Sequence, residues 1–225
     1  MATVNIRVPA EDRRQQIIDV ARDLFASRGY EGTTTRELAE KIGINEALLF
    51  RHFPTKEDLY WAVLQHMIDM RGSKDRLREH LRSGLSERET LMAVAQDILN
   101  RSVQLTRLLF YSVLEKHELS ERFLKTHVIA YHEILAEYIR VGIEAGRFRQ
   151  MDPLLAARAF IGMFAYHFQT QELLGGRAVQ QFDSEKVISG LVDLWLEGMK
   201  PRKIVHAKGL PNSGRNPRVV EKVTR

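Results

Sequence analysis

Arg51 closes a short run, Asn45-Glu46-Ala47-Leu48-Leu49-Phe50-Arg51-His52, whose spacing puts several hydrogen-bonding side chains on the outer side of one short helix. A guanidinium so placed can bond guanine O6 and N7 together, which is worth about 1–3 kcal/mol of discrimination against the wrong base. Glu46 can accept from cytosine N4, or it can serve the helix dipole in the first turn. No comparable constellation points to catalysis. The chain has no His-Glu-x-x-His, phosphate loop, Gly-x-Ser-x-Gly or dinucleotide fingerprint. His127 and His132 are five apart, a poor spacing for one helix face, which leaves His132-Glu133 and His167 as isolated candidates for ligand contact. With no cysteine there is no thiolate nucleophile, disulfide or cysteine-ligated zinc. No enzyme, metal or cofactor is expected.

A recognition run of this kind needs a partner helix and a turn to aim it. Ile17, Ile18, Ala21, Leu24 and Phe25 recur at three- and four-residue intervals and predict a helix over about residues 10–28, stopped by Gly29. Thr34 with Glu37 three residues later is a capping-box signature for a second helix, with Leu38, Ala39 and Ile42 inward. Gly43 permits a tight turn and Asn45 is a good N-cap for a third helix, with Leu49 and Phe53 facing the core. Pro54 closes it, and Thr55 caps a fourth that runs to about Met70. Two short helices joined by a glycine turn and braced by a longer one meet the physical needs of helix-turn-helix recognition. Beyond them the period loosens over residues 71–86, as a helix end or a hinge. Helical segments then follow near 87–101, 103–117, 121–145, 153–174 and 184–199, with no period-two run, so the fold is expected to be all-α.

A chain of 225 residues with 44% hydrophobic and 28% charged residues is a globular composition, long enough for a large core. No run approaches the roughly 18 apolar residues of a membrane span and no signal-peptide pattern opens the chain, so a cytoplasmic location with no membrane partner is expected. Residues 1–70 carry 9 Lys+Arg against 11 Asp+Glu, residues 71–199 carry 17 against 17, and residues 200–225 carry 8 against 1. The pI of about 9.5 is therefore a property of the tail. That tail holds Pro201, Pro211 and Pro217 and reads as disordered apart from a possible strand at 203–206. It can add sequence-independent attraction to phosphates, as can the arm carrying Arg7, or it can be a plain solvated extension.

The order Ile17-Ile18-x-x-Ala21-x-x-Leu24-Phe25-x-x-x-Gly29-Tyr30, Thr33-Thr34, Leu38-Ala39, Ile42-Gly43-Ile44, Leu49-Phe50-x-His52-Phe53 and Lys56-Glu57-x-Leu59 resembles the TetR family of bacterial transcriptional regulators over residues 13–61. The resemblance implies an arm (1–9), an N-terminal three-helix helix-turn-helix domain (10–60), a larger C-terminal helical domain for ligand binding and dimerisation (61–199), and the tail (200–225). It also implies a homodimer on a palindromic double-stranded DNA operator, most often repressing. Carried over by position, Thr34, Arg36 and Lys56 fall where the family touches phosphates. Asn45, Glu46, Ala47, Leu48 and Arg51 fall where it reads bases, and Phe50 and His52 where it commonly meets the backbone. Phe50 stands where tyrosine is frequent and has no hydroxyl for a phosphate. Ala47 stands where glycine is common and Leu48 where a small polar residue is usual, which changes the operator and leaves the fold alone.

The resemblance further implies an apolar or amphipathic small-molecule inducer. Leu105, Leu109, Phe110, Phe123, Tyr131, Met163 and His167 are candidates for its pocket, each of which can equally be core. Surplus apolar faces on the last two helices suggest a dimer interface through Phe160, Phe164, Leu191, Leu194 and Trp195. Two other readings remain: a small-molecule carrier or sensor that does not act through specific DNA binding, and a non-specific DNA coater that uses the basic tail.

Overall fold

The computed structural model describes residues 9–70, 72–114 and 118–201. Among these the chain is helical throughout, with no strand. The basic tail, the possible strand at 203–206 and the arm with Arg7 lie outside the described residues.

The first four helices are α1 (Ala10–Arg28), α2 (Thr35–Ile42), α3 (Glu46–His52) and α4 (Lys56–Asp69). Local chemistry fixes their ends. Thr34 Oγ1 accepts from the Glu37 amide at 3.2 Å while the Glu37 carboxylate accepts from the Thr34 amide at 3.3 Å. Thr55 and Asp58 repeat this exchange at 3.0 and 3.1 Å, and Asn45 Oδ1 takes the Leu48 amide at 2.8 Å. Each cap satisfies amides that the first turn leaves without a helical partner. Gly43 ends α2 at φ +77°, in the left-handed region that a side chain resists. Behind these ends, Ile17, Ala21 and Phe25 of α1 pack over Leu38, Leu49, Leu59 and Tyr60, with Phe25 and Tyr60 edge to face at 4.8 Å.

Next comes α5 (Ser73–Arg82), within the stretch whose period is loose. Leu77 and Leu81, four apart, are its only apolar contacts with the core. Two matches to a helical period are too few to stand out among charges. The remaining elements are α6 (Glu87–Leu99), α7 (Val103–Leu114), α8 (Glu118–Phe123), α9 (Ala130–Glu144), α10 (Pro153–Phe168), a short α11 (Gly176–Val179) and α12 (Ser184–Met199). A π-helical stretch, Leu124–Ile129, joins α8 to α9, and a second, Gln169–Leu173, follows α10. The expected single helix over 121–145 is thus a continuous helical path with a wider turn near its start.

Apolar side chains sort into two clusters. One holds α1 to α4 together with Leu108 of α7. The other is built by α5, α6, α9, α10 and α12, with Phe160, Phe164 and Trp195 at its centre. Phe160 lies 5.1 Å from Phe164 and 5.5 Å from Trp195, and Trp195 Nε1 donates to the Ala156 carbonyl at 3.2 Å. Phe148 packs so closely over Gly142 that a Cβ there would lie 2.3 Å from its ring. No helix among the described residues is long and apolar enough to cross a membrane.

Candidate DNA-reading surface and effector cavity

α3 is pinned from below by Leu49 and from its C-terminal end by Phe53, both buried, which turns its remaining positions outward. The structure divides those positions by what already engages them. Asn45 is occupied as the cap of α3, and the Glu46 carboxylate accepts from Thr35 Oγ1 at 2.6 Å, tying the start of α3 to the start of α2. Glu46 is therefore not paired with Arg51. Ala47, Phe50 and Arg51 are exposed, and Arg51 makes no ion pair among the described residues. Leu48 and His52 are half-buried, His52 on the wall of a polar crevice between α1 and α4.

The three residues at the expected phosphate positions differ in freedom. Thr34 holds its capping box. Arg36 is exposed at the start of α2 and meets Glu40 at 3.1 Å, a solvent-screened pair that a phosphate can displace. Lys56 instead donates to the carbonyls of Tyr30 and Thr33 at 2.9 and 3.1 Å and lies 4.0 Å from the centre of the Tyr30 ring. Its ammonium holds the connection between α1 and α2 against the start of α4, so two of its three donors serve the scaffold.

In the other half, α7, α10 and the path through the π-helical stretch into α9 enclose a cavity of about 460 Å³. Leu105, Leu109, Phe110, Phe123 and Tyr131 line it. Met163 and His167 do not. At 3.6 residues per turn Arg158, Gly162, Ala165 and Gln169 share one side of α10, while residues 163 and 167 fall on the other. Met163 packs against the C-terminal core, and His167 stands edge-on to Phe182, 5.7 Å away, in a separate crevice of about 280 Å³.

Of the basic and imidazole side chains on the wall, sequence reasoning named His132 as a candidate for ligand contact and missed Arg101, His127 and Arg158. The two histidines share it because the π-helical turn spans more residues per turn than an α-helix, which overturns the argument that residues five apart diverge. Arg158 had a readable signal, since it is the one charged side chain other than His167 in the helix Pro153–Phe168. Burial pushes His127 and His132 below their ordinary value of 6.5, with Arg158 and Arg101 adding to the shift at His132 and Lys74 at His127. Both rings are thus neutral near pH 7. Gln65 Nε2 donates to His127 Nε2 at 2.9 Å, which places the ring proton on Nδ1; that atom is buried with no partner among the described residues.

The two clusters meet at α7. Leu105 and Leu109 line the cavity and pack on the N-terminal cluster, and Leu108 is fully buried within that cluster. The Leu108 carbonyl accepts from the Tyr60 hydroxyl of α4 at 2.7 Å.

The surplus apolar face also needs correction. Phe160, Phe164 and Trp195 are the centre of one protomer's core, at 0%, 0% and 7% exposure, and have no surface to offer a second copy. Their side of each helix is occupied by α6, by α9 and by one another. Leu194 of α12 is 63% exposed, as are Leu155 and Tyr166 of α10 at 57% and 71%, whereas Leu191 is half-buried and packs against the C-terminal core.

Comparison with known proteins places the fold in a family. Residues 17–63 match the profile of bacterial regulatory proteins of the tetR family, and residues 89–198 match the AefR-like transcriptional repressor C-terminal domain. The chain is 32% identical over 166 residues to the transcriptional repressor KstR2 of Rhodococcus jostii, covering 67% of this chain and 78% of that one. It is 34% identical over 107 residues to the transcriptional activator FasR of Mycolicibacterium smegmatis, covering 46% of this chain and about half, 48%, of that protein. A crystal structure of AibR with isovaleryl coenzyme A and operator DNA superposes with a TM-score of 0.59 at 21% identity, covering 81% of this chain and 97% of that one. The chain belongs to the TetR family, whose members regulate transcription and are not enzymes.

Proposed function

We propose that this chain is a ligand-responsive regulator that binds a palindromic operator as a homodimer, represses by default, and is released when a small molecule fills the α7–α10 cavity. The observation that carries the reading is the double role of α7, whose Leu105 and Leu109 touch both the cavity and the DNA-reading half. A ligand that displaces this wall tilts α1 and α4, to which α7 is bound by packing and by the Tyr60 hydrogen bond. Two recognition helices in a dimer must meet successive major grooves about 34 Å apart, so a small tilt removes the match. Ligand then shifts the equilibrium by its differential affinity for the two arrangements. AibR, with ligand and operator in one crystal, supports this pairing of sites on one fold. KstR2 and the repressor profile support repression over FasR's activation. The exposed apolar side chains Leu155 and Tyr166 of α10 and Leu194 of α12 support a four-helix interface.

Fluorescence anisotropy against fragments from the gene's own upstream region and against unrelated DNA, at two salt concentrations, tests this. One fragment is expected to bind at least about a thousandfold tighter than the rest. Equal, steeply salt-dependent binding to all fragments contradicts it and returns the chain to the carrier or coating readings. A monomer at micromolar concentration in equilibrium sedimentation contradicts the dimer.

A further inference from the structure

The cavity is not closed by the protomer that builds it. Of its lining residues Phe110, Arg158 and Gly162 are exposed and the others are half-buried or buried, so it reaches the surface beside α10. At 3.6 residues per turn Leu155, Ala159, Gly162 and Tyr166 form one line along α10, and Arg158, Gly162, Ala165 and Gln169 form the adjoining line on the cavity wall. Gly162 belongs to both. A Cβ there would meet nothing within 4 Å, so bare backbone is the rim between the cavity and the outer face. All four residues of the outer line are exposed and none is charged.

This face supplies its own complement. On α12 the exposed Leu194 stands between Gly190 and Gly198, one turn to either side, where a Cβ would again meet open space. Large side chains at Leu155, Tyr166 and Leu194 thus alternate with gaps at Ala159, Gly162, Gly190 and Gly198. A two-fold contact needs that arrangement, because each copy's projections must enter the other's gaps. Regulators of the TetR family act as dimers.

We infer that a second copy of this chain completes the effector site: its α10–α12 face covers the opening at Gly162, so that a ligand in either cavity is enclosed by both protomers. This rests on the reading of the cavity as the effector site and deepens it. In an open cavity an apolar ligand keeps part of its surface in water, and a covering protomer removes that part. Ligand binding and dimerisation then strengthen each other by the same factor, since the coupling is reciprocal.

The test uses the full-length protein without DNA and 1-decanol as the probe. Covering roughly 60 Å² more of its apolar surface corresponds to about a tenfold gain in affinity. Sedimentation of a dilution series is expected to show a dimer dissociation constant about a hundredfold lower in saturating decanol, about tenfold for each of the two sites. Leu155→Glu and Leu194→Glu alter exposed residues outside the cavity lining, so both variants should fold. Each is expected to be a monomer that binds decanol about tenfold more weakly in calorimetry, a loss that a site complete within one protomer would not register. Equal decanol affinity in monomer and dimer, a dissociation constant indifferent to decanol, or variants that both remain dimeric overturns the inference and leaves the cavity reading standing. Absence of decanol binding in either state overturns both.

Discussion

The two halves of the molecule share their local caps and differ in how much of their site those caps can place. In the first half the starts of α2, α3 and α4 and the end of α2 are decided within three or four residues: Thr34 with Glu37, Asn45 with the Leu48 amide, Thr55 with Asp58, Gly43 in the left-handed region. Ser86 with Glu89, Asp152 and Asp183 start α6, α10 and α12 in the same way. In the C-terminal half the decisive facts are pairings between residues far apart, such as Phe160 with Trp195 or Trp195 Nε1 with the Ala156 carbonyl. Reading bases requires side chains held on a short rigid helix, and local capping delivers that. Binding a small molecule requires a space between helices, which only the packing of several segments can define. The comparison implies that substitutions in the first half should act through helix ends and the reading face, and those in the second through volume.

The sharpest contrast is between neighbours on α12. Trp195→Ala removes a buried indole from the C-terminal core and is expected to lower unfolding free energy by about 3–5 kcal/mol in denaturant titration. Leu194→Glu, one residue away and 63% exposed, should leave protomer stability nearly unchanged while shifting sedimentation from dimer to monomer. If Leu194→Glu unfolds the protomer and stays dimeric, the division between core face and interface face is wrong.

Tyr60→Phe addresses the seam between the halves. It removes the hydroxyl that donates to the Leu108 carbonyl, which keeps its place as an acceptor within α7, and should cost about 0.5–1.5 kcal/mol, the net contribution of one hydrogen bond. It should also weaken the effect of any cavity ligand on operator affinity. A variant with full coupling would show that α7 does not transmit through this contact.

Thr34→Ala tests the local rule. Loss of the capping box is expected to cost about 1 kcal/mol, with operator affinity falling as the start of α2 frays.

The smallest effect concerns pH. His127, His132 and His167, all in the C-terminal half, have pKa values lowered chiefly by burial. Below the ordinary value of 6.5 the unfolded chain takes up protons more readily than the folded one, so stability should fall as pH drops from about 6.5 and level off below the folded values. Chemical unfolding across that range should show a shallower slope in H132Q. Carboxylates held low by partners, such as Glu37 beside Arg28 and Thr34, lose their contribution only below about 4.5 and do not blur the window.

The same division explains what could be read in advance. Caps, glycine turns and the three- to four-residue apolar period of α1 placed the first four helices and the outward side of α3. The period could not tell which apolar side of α10 and α12 the core would take, so Phe160, Phe164 and Trp195 were assigned outward, whereas of the five expected interface residues only Leu194 is exposed. Leu105, Leu109, Phe110, Phe123 and Tyr131 were legible as cavity candidates by type. Arg158 was overlooked because a lone charge in an apolar helix reads equally as solvated surface, and the sharing of one wall by His127 and His132 because a π-helical turn has no sequence period of its own. Lys56 was assigned to a phosphate by position, although the Tyr30 and Thr33 carbonyls that engage it are supplied by the chain turn before α2.

The most direct test of the account is Arg51→Ala, measured by anisotropy on the tightest upstream fragment and on unrelated DNA at two salt concentrations. Arg51 is exposed and unpaired among the described residues, so the substitution should leave the thermal midpoint unchanged. The account predicts a loss of about 1–3 kcal/mol on the specific fragment, with little change on unrelated DNA and little change in salt slope. Undiminished discrimination between the two DNAs would contradict the claim that α3 reads the operator through Arg51.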